Sequence, residues 1–230
     1  FVPWMVAVLL PVTYVGTLCA ARVSGKQRCA FPFFCAAAAE EPARVVAQVG
    51  FGASAALIIV LVVLEFLRAS DFGRAPAGCA TTGVAFGTLA AVFLALFTAF
   101  DVCLFPVTHQ IFVSLNVGFT SAYMGTTLCT SDFTGQHAWR ITALVIFVAG
   151  TALSGISVAI FYAIHNRRIK NSPDSADANA DEEAGIRSPV TRGPTWILPF
   201  SAICQYFSVA GVTAFAASFI FDFSNVSLSA

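Results

Sequence analysis

The feature that most constrains this sequence is a short polar break between two long apolar runs. The break covers residues 100–109, and the runs beside it cover residues 82–99 and 107–128. Each run approaches the roughly 20 apolar residues that an α-helix needs to cross the hydrocarbon core of a bilayer. Two membrane helices joined by so short a break must run antiparallel, so the break lies at one membrane face.

Four further hydrophobic runs extend this pattern over the whole chain. Hydrophobic residues make up 58% of the sequence and charged residues 10%, whereas about 25% of a soluble domain is charged. The sequence therefore predicts an all-α fold, a polytopic membrane helical bundle that forms one domain. Its six transmembrane helices are expected at about residues 1–21, 45–67, 82–100, 107–128, 139–164 and 196–221. Because the chain starts at Phe1 and not at methionine, we expect an incomplete or processed N-terminus.

The segment 165–193 is the only extended polar stretch, and we predict that it is a disordered loop. It opens with Arg167, Arg168 and Lys170 and continues with many Asp, Ala, Asn and Ser residues. Such a composition buries too little apolar surface to offset the entropy of ordering. The basic residues are interpreted as a topology anchor in preference to a site for anionic lipid.

Charge and motif content exclude several functional classes. The formal net charge is zero, which argues against a nucleic-acid partner. The sequence has no P-loop, dinucleotide fingerprint or metal-ligand cluster, and its seven cysteines show no CxxC spacing, so no cofactor or metal is predicted. Cys29 and Cys35 share one loop and either form a disulfide, if that loop is lumenal, or remain free thiols.

Four polar residues near or within the apolar spans form the candidate lipid-headgroup site: Asp101, His109, Asn116 and Gln205. Asp101 and His109 either form an ion pair or proton-handling pair at the membrane face, or lie hydrated among the headgroups. Asn116 and Gln205 favour hydrogen bonds between helices, with each other as one option. The alternative for Gln205 is that it lines a lipid-headgroup cavity.

Small residues predict close contacts between helices, because they let helix backbones approach one another in lipid. In the fifth span these residues are Gly150, Ser154, Gly155 and Ser157. We therefore expect this stretch to pack tightly against a neighbouring span.

The last span and the start of its tail resemble a known family. Gln205-Tyr206 lies early in the span, and Asp222-Phe223 closes it. These residues are similar to motifs of the DRAM/SFK/FRAG family, whose shared region is also called the CWH-like N-terminal domain. In that family a Glu-Trp pair and an aspartate-phenylalanine-glutamine segment stand at these places. This chain departs from the pattern at Gln205-Tyr206 and at Ser224.

Two further stretches resemble the same family. Phe100-Asp101, followed by His109, is similar to the family's Asn-Phe-Gln segment and its following histidine. Trp139-Arg140 resembles the tryptophan and arginine that open the fifth span. The resemblance thus extends from the central hairpin to the last span.

The loop before the second span shows the resemblance in a weaker form. Glu41-Pro42 stands where the family has a Pro-Glu pair, and the family's preceding Ile-Ser-Asp-x-Gly segment is missing. Glu41 could bind a headgroup amine or a cation, but a solvated helix start is favoured, because acidic residues stabilise the helix N-terminus.

The resemblance implies an integral membrane protein of the endomembrane system (lysosome/endosome or ER/Golgi) or of the plasma membrane, with cytosolic termini. The charge distribution points the other way: three basic residues lie on the terminal side and nine on the other, which the positive-inside rule assigns to the cytoplasm. We follow the resemblance, because the long loop also carries many acidic residues.

The function implied by the resemblance is that of a non-enzymatic modulator in autophagy and lysosomal biology or in membrane-lipid organisation. It would act in the lipid bilayer through membrane lipids or partner membrane proteins. The alternative is a GPI-anchor lipid-remodelling factor or a lipid-modifying enzyme subunit, with Asp101, His109 and Gln205 converging on a headgroup. No nucleophile–base arrangement is recognisable, so no catalytic residue is assigned. A channel or transporter is disfavoured, because the spans lack a charged lining and broken-helix pairs.

Overall fold

A computed structural model of the protein describes residues 1–24, 34–38, 41–71, 77–100, 104–130, 135–171 and 197–224. Every regular element in these ranges is an α-helix, which confirms the predicted all-α class for this part of the chain. The helices are α1 (Val2–Val23), α2 (Phe34–Ala37), α3 (Ala43–Asp71), α4 (Ala77–Ala99), α5 (Pro106–Thr130), α6 (Gly135–Asn171) and α7 (Ile197–Ser224).

Five of the described helices are long and apolar enough to cross a membrane, namely α1, α3, α4, α6 and α7. Their outward faces carry exposed apolar side chains such as Val12, Val49, Val145 and Phe207, as expected of a surface that meets lipid. The fold is therefore that of an integral membrane protein. Helix α5 has 25 residues, enough to span a bilayer, but it is more polar, so the sixth crossing remains a prediction.

The six long helices form a closed ring in which each helix packs against two neighbours. The order around the ring is α1, α3, α4, α5, α6 and α7, and α7 returns to α1. Successive helices run antiparallel: Phe97 of α4 packs on His109 of α5, while Phe86 packs on Phe119. We call the end where α1 begins and α7 finishes the terminal end. At the far end, α4 finishes and α5 begins.

Glycines allow α6 and α7 to approach closely. A Cβ added to Gly150 would lie 2.8 Å from the carbonyl oxygen of Cys204, and one added to Gly211 would lie 2.7 Å from the backbone nitrogen of Phe147. The packing predicted for Gly150 is therefore present. Gly155 differs from the prediction, because no described atom lies within 4 Å of the place of its Cβ.

Helix α6 continues beyond its predicted span. It ends at Asn171, seven residues into the segment 165–193 that we predicted to be a loop. A physical reason is the basic sequence at 167–170, because positive charge near the C-terminus of a helix interacts favourably with the helix dipole. The remainder of the predicted loop, up to residue 193, lies outside the described residues.

Candidate functional site

The helix ring encloses a cavity of about 500 Å³, a size typical of small-molecule sites. All six long helices and α2 contribute side chains to its wall. Most of these are apolar, among them Leu61, Met124 and Phe219. The polar side chains of the described wall are all uncharged, and they include Gln110, Ser114, Asn116, Thr120, Thr151, Ser154, Gln205 and Ser208.

One face of α5 supplies much of this polar wall. Gln110, Val113, Val117, Thr120 and Tyr123 all line the cavity and recur every three or four residues, the spacing of one helix face. With a rise of 1.5 Å per residue, this face extends for about 20 Å, roughly two-thirds of the hydrocarbon core of a bilayer. Helix α5 thus contributes polar side chains to the cavity along most of this length.

Helix α2 covers the cavity at the far end. The ring of Phe34 stacks on that of Tyr14 at 4.5 Å between centroids and meets Phe51 edge-on at 5.4 Å. The backbone nitrogen of Phe34 donates a hydrogen bond of 3.2 Å to Oε1 of Gln205. This amide therefore anchors the covering helix to α7 and lines the cavity at the same time.

The residues predicted to form a headgroup site do not all meet. Asn116 lines the cavity and donates to the carbonyl oxygen of Ala90 on α4 at 2.7 Å, so it does not bond to Gln205. His109 is buried, and its Nδ1 lies 2.8 Å from the carbonyl oxygen of Phe100. Its predicted partner Asp101 lies outside the described residues.

A buried ionic cluster occupies the terminal end of the ring. Nε of Arg140 on α6 donates to Oγ of Ser218 at 2.9 Å, and Nη2 donates to the carboxylate of Asp222 on α7. Arg68 of α3 lies 3.6 Å from the same carboxylate and 2.7 Å from that of Glu65. The cluster therefore joins α3, α6 and α7.

The environment of Arg140 explains why such a cluster is tolerated. Its side chain has no solvent exposure, and a buried charge is costly unless it is paired and hydrogen-bonded. Two carboxylates balance two guanidinium groups, and the guanidinium of Arg140 also lies 4.7 Å from the centroid of Phe219, within cation–π range. This arrangement supports a structural role in closing the terminal end.

The remaining family-motif residues occupy structural positions. Nε1 of Trp139 donates to the carbonyl oxygen of Ala214 at 3.0 Å, and Phe223 packs against the core. Glu41, next to Pro42, forms an exposed ion pair with Arg44 at 3.0 Å. No group of three or more His, Cys, Asp or Glu residues that could hold a metal occurs within the described ranges.

Sequence reasoning missed the ionic cluster. Glu65 and Arg68 look like an ordinary charged boundary of the second span, and Asp222 like the boundary of the last. Their spacing did carry a signal: Glu65 and Arg68 are three residues apart, which places them on one helix face. The partner on another helix can be found only from the fold.

A ring of long apolar helices around an internal cavity defines a polytopic helical membrane protein. Its family is known as well. The model of the Frag1/DRAM/Sfk1/Cwh43P N-terminal domain matches residues 1–226, so the chain belongs to this family, as its motifs indicate. In comparisons with curated proteins and with solved structures, nothing matches the chain.

Proposed function

We propose that this chain is a non-enzymatic, DRAM-like modulator that organises membrane lipid by holding it within the helix ring. The observation that carries the proposal is the cavity of about 500 Å³ with its apolar and uncharged polar wall. The apolar part of this wall suits the acyl chain of a lipid, and the uncharged polar part suits its neutral polar groups. We place its action in lysosomal, autophagic or related membranes, following the family.

The chemistry of the wall supports binding in preference to catalysis. General acid–base catalysis needs a titratable group with a suitable pKa within hydrogen-bond reach of the substrate. Within the described ranges, the titratable side chains that line the cavity are the phenols of Tyr14 and Tyr123, and no Asp, Glu, His, Lys, Arg or Cys lines it. The carboxylates of Glu65 and Asp222 are engaged with arginines at the terminal end.

Lipid that co-purifies with the full chain tests this proposal directly. The protein is purified in mild detergent, and bound lipid is extracted and identified by mass spectrometry. The variant Val117→Trp fills the cavity wall, whereas Val145→Trp alters an exposed, outward-facing position. We expect lipid on the wild type and on Val145→Trp, and much less on Val117→Trp. Turnover of a bound lipid by the purified protein would contradict a non-enzymatic role.

Orientation and compartment need a separate experiment. We propose six crossings with cytosolic termini, in which α5 is the fourth crossing. Tags at both ends are stained after selective permeabilisation of the plasma membrane, and the same cells report the compartment. Accessible tags on lysosomal or endosomal membranes support the proposal. A lumenal tag at either end would contradict it.

The second candidate is a GPI-anchor lipid-remodelling factor or a subunit of a lipid-modifying enzyme. The cavity supports this candidate because its volume suits one acyl chain of the anchor. Another subunit would then perform the chemistry. GPI-anchor lipids are compared between cells with and without the protein. An unchanged lipid composition would exclude this candidate and leave the first one standing.

A further inference from the structure

Most of the described residues that line the cavity are buried or half-buried, and three are exposed. Gln110 and Ser114 on α5 and Gly155 on α6 are the only exposed residues among the described ones that line it. All three lie on two neighbouring helices of the ring. The opening of the cavity therefore lies between α5 and α6, on the side of the bundle.

The packing of the ring agrees with this position. The contact between α5 and α6 is the least extensive of the six contacts that close the ring. Gly155 has no side chain, and nothing described lies within 4 Å of the place where its Cβ would be. We call the gap bounded by Gln110, Ser114 and Gly155 the side opening.

The surroundings of the side opening are apolar. Ile111 and Leu115 on α5 and Ile156 and Ile160 on α6 are exposed large hydrophobic residues, and such surfaces meet hydrocarbon in a membrane protein. A molecule that passes through the side opening therefore comes from the bilayer and not from water.

The polarity of the cavity is graded along its length. Gln110 lies close to the start of α5, at the far end of the ring, where a membrane helix meets the headgroup layer. The other end of the cavity is lined mainly by apolar side chains, among them Leu61, Met124 and Phe219, and by Tyr123. A molecule that matches this gradient has a small polar head and a long apolar chain, about 20 Å of which fits along α5.

We propose that the cavity takes up one chain of an uncharged, hydroxyl-bearing glycerolipid through the side opening. The hydroxyl bonds to Gln110 and Ser114, while the second chain stays in the bilayer. A phosphate-bearing head is disfavoured, because the described wall offers no cationic side chain to pair with it. This inference rests on the proposed function and specifies its ligand and route.

A photo-crosslinking experiment tests the inference. Full-length protein in vesicles is labelled with a photoactivatable diacylglycerol and with a photoactivatable phosphatidylserine that carries the same chains. Gly155→Trp blocks the side opening, and Gly118→Trp is the matched control, because Gly118 is also an exposed helical glycine with open space around it but does not line the cavity. If Gly155→Trp fails to fold, Ser114→Trp replaces it.

We expect diacylglycerol to label α5 and α6 in the wild type and in Gly118→Trp, and labelling to fall roughly tenfold in the blocked variant, a loss of about 1.4 kcal/mol in binding. Equal labelling of Gly155→Trp and Gly118→Trp would overturn entry through the side opening. Stronger labelling by phosphatidylserine than by diacylglycerol would overturn the preference for an uncharged lipid. If neither probe labels the wild type and no lipid co-purifies with it, the proposed function fails as well.

Discussion

Arg140 on α6 and Asp222 on α7 form an ion pair although 82 positions separate them in the chain. The Arg140 side chain is fully buried, and that of Asp222 is 10% exposed. Arg68 approaches the same carboxylate from α3. A single aspartate thus connects three helices of the ring at its terminal end, which makes it the most informative position for testing the fold.

We expect Asp222→Asn to destabilise the protein by about 3–5 kcal/mol, because it leaves the buried Arg140 without its counter-charge. The measurement is the free energy of unfolding in detergent micelles. Glu41→Gln is the control, because the ion pair between Glu41 and Arg44 is exposed, and exposed pairs contribute roughly 0–1 kcal/mol. Equal losses in the two variants would contradict a buried cluster.

A double replacement separates the charge of the cluster from its packing. Arg140→Met combined with Asp222→Leu removes both charges and keeps apolar side chains in their place. We expect it to recover most of the stability that Asp222→Asn loses, because well-packed apolar residues often replace a buried ion pair without cost. A double variant less stable than Asp222→Asn would show that the charges themselves hold α6 and α7 together.

The close approach of α6 and α7 predicts a strong effect at Gly211. A Cβ there would lie 2.7 Å and 2.9 Å from backbone atoms of α6, which cannot move aside as a side chain can. Gly211→Ala should lower the unfolding free energy by about 1–3 kcal/mol through overpacking. Gly118→Ala, with open space around it, should be neutral or slightly stabilising, because alanine favours a helix. Equal changes in unfolding free energy for Gly211→Ala and Gly118→Ala would contradict the close approach of α6 and α7 at Gly211.

Removal of the side-chain amide of Gln205 should release α2. Gln205→Leu keeps the approximate volume but deletes the acceptor for the backbone nitrogen of Phe34. We expect faster hydrogen exchange at that backbone amide, measured by mass spectrometry on the peptide that contains residues 34–38. Gln48→Leu removes another glutamine, one that bonds to the carbonyl oxygen of Thr98, and should leave this peptide unchanged. Unaltered exchange in Gln205→Leu would contradict the anchor.

Two of the contacts of His109, with Phe97 and with Phe100, can be separated by two variants. His109→Phe keeps an aromatic ring against Phe97 but removes the hydrogen bond to the carbonyl oxygen of Phe100, a loss of about 1 kcal/mol. His109→Ala removes both contacts and should cost more. Thermal unfolding of the two variants provides the comparison. A larger loss of thermal stability in His109→Phe than in His109→Ala would contradict the packing of the ring on Phe97.

The sequence was sufficient to predict the six long helices, but not the short helix α2 or the arrangement of the helices. Long apolar runs predict spans directly, because a bilayer requires internally satisfied backbone hydrogen bonds. Among the long helices, α6 departs most from its predicted bounds, because the polar sequence after residue 164 remains helical. The closed order of the ring depends on contacts between side chains far apart in sequence, which periodicity does not encode.

In the candidate site, the sequence likewise singled out some residues but did not show which residues they contact. Asn116 and Gln205 stood out because amides are rare in apolar helices, and both line the cavity. Gly155 was interpreted as a packing residue, because a glycine in a membrane helix looks the same in sequence whether it faces a neighbouring helix or an opening. Glu65 and Arg68 gave no hint of Asp222, since their common partner lies on another helix.

The side opening ties the cavity to one leaflet of the bilayer. An aqueous site samples a concentration, whereas a site that opens into one half of a bilayer samples the mole fraction of a lipid in that leaflet alone. Because Gln110 and Ser114 lie in the half of the ring nearest the far end, occupancy would follow the composition of the leaflet on that side. Movement of a lipid from one leaflet to the other, with no change in its total amount, would then be enough to change the occupancy of the cavity.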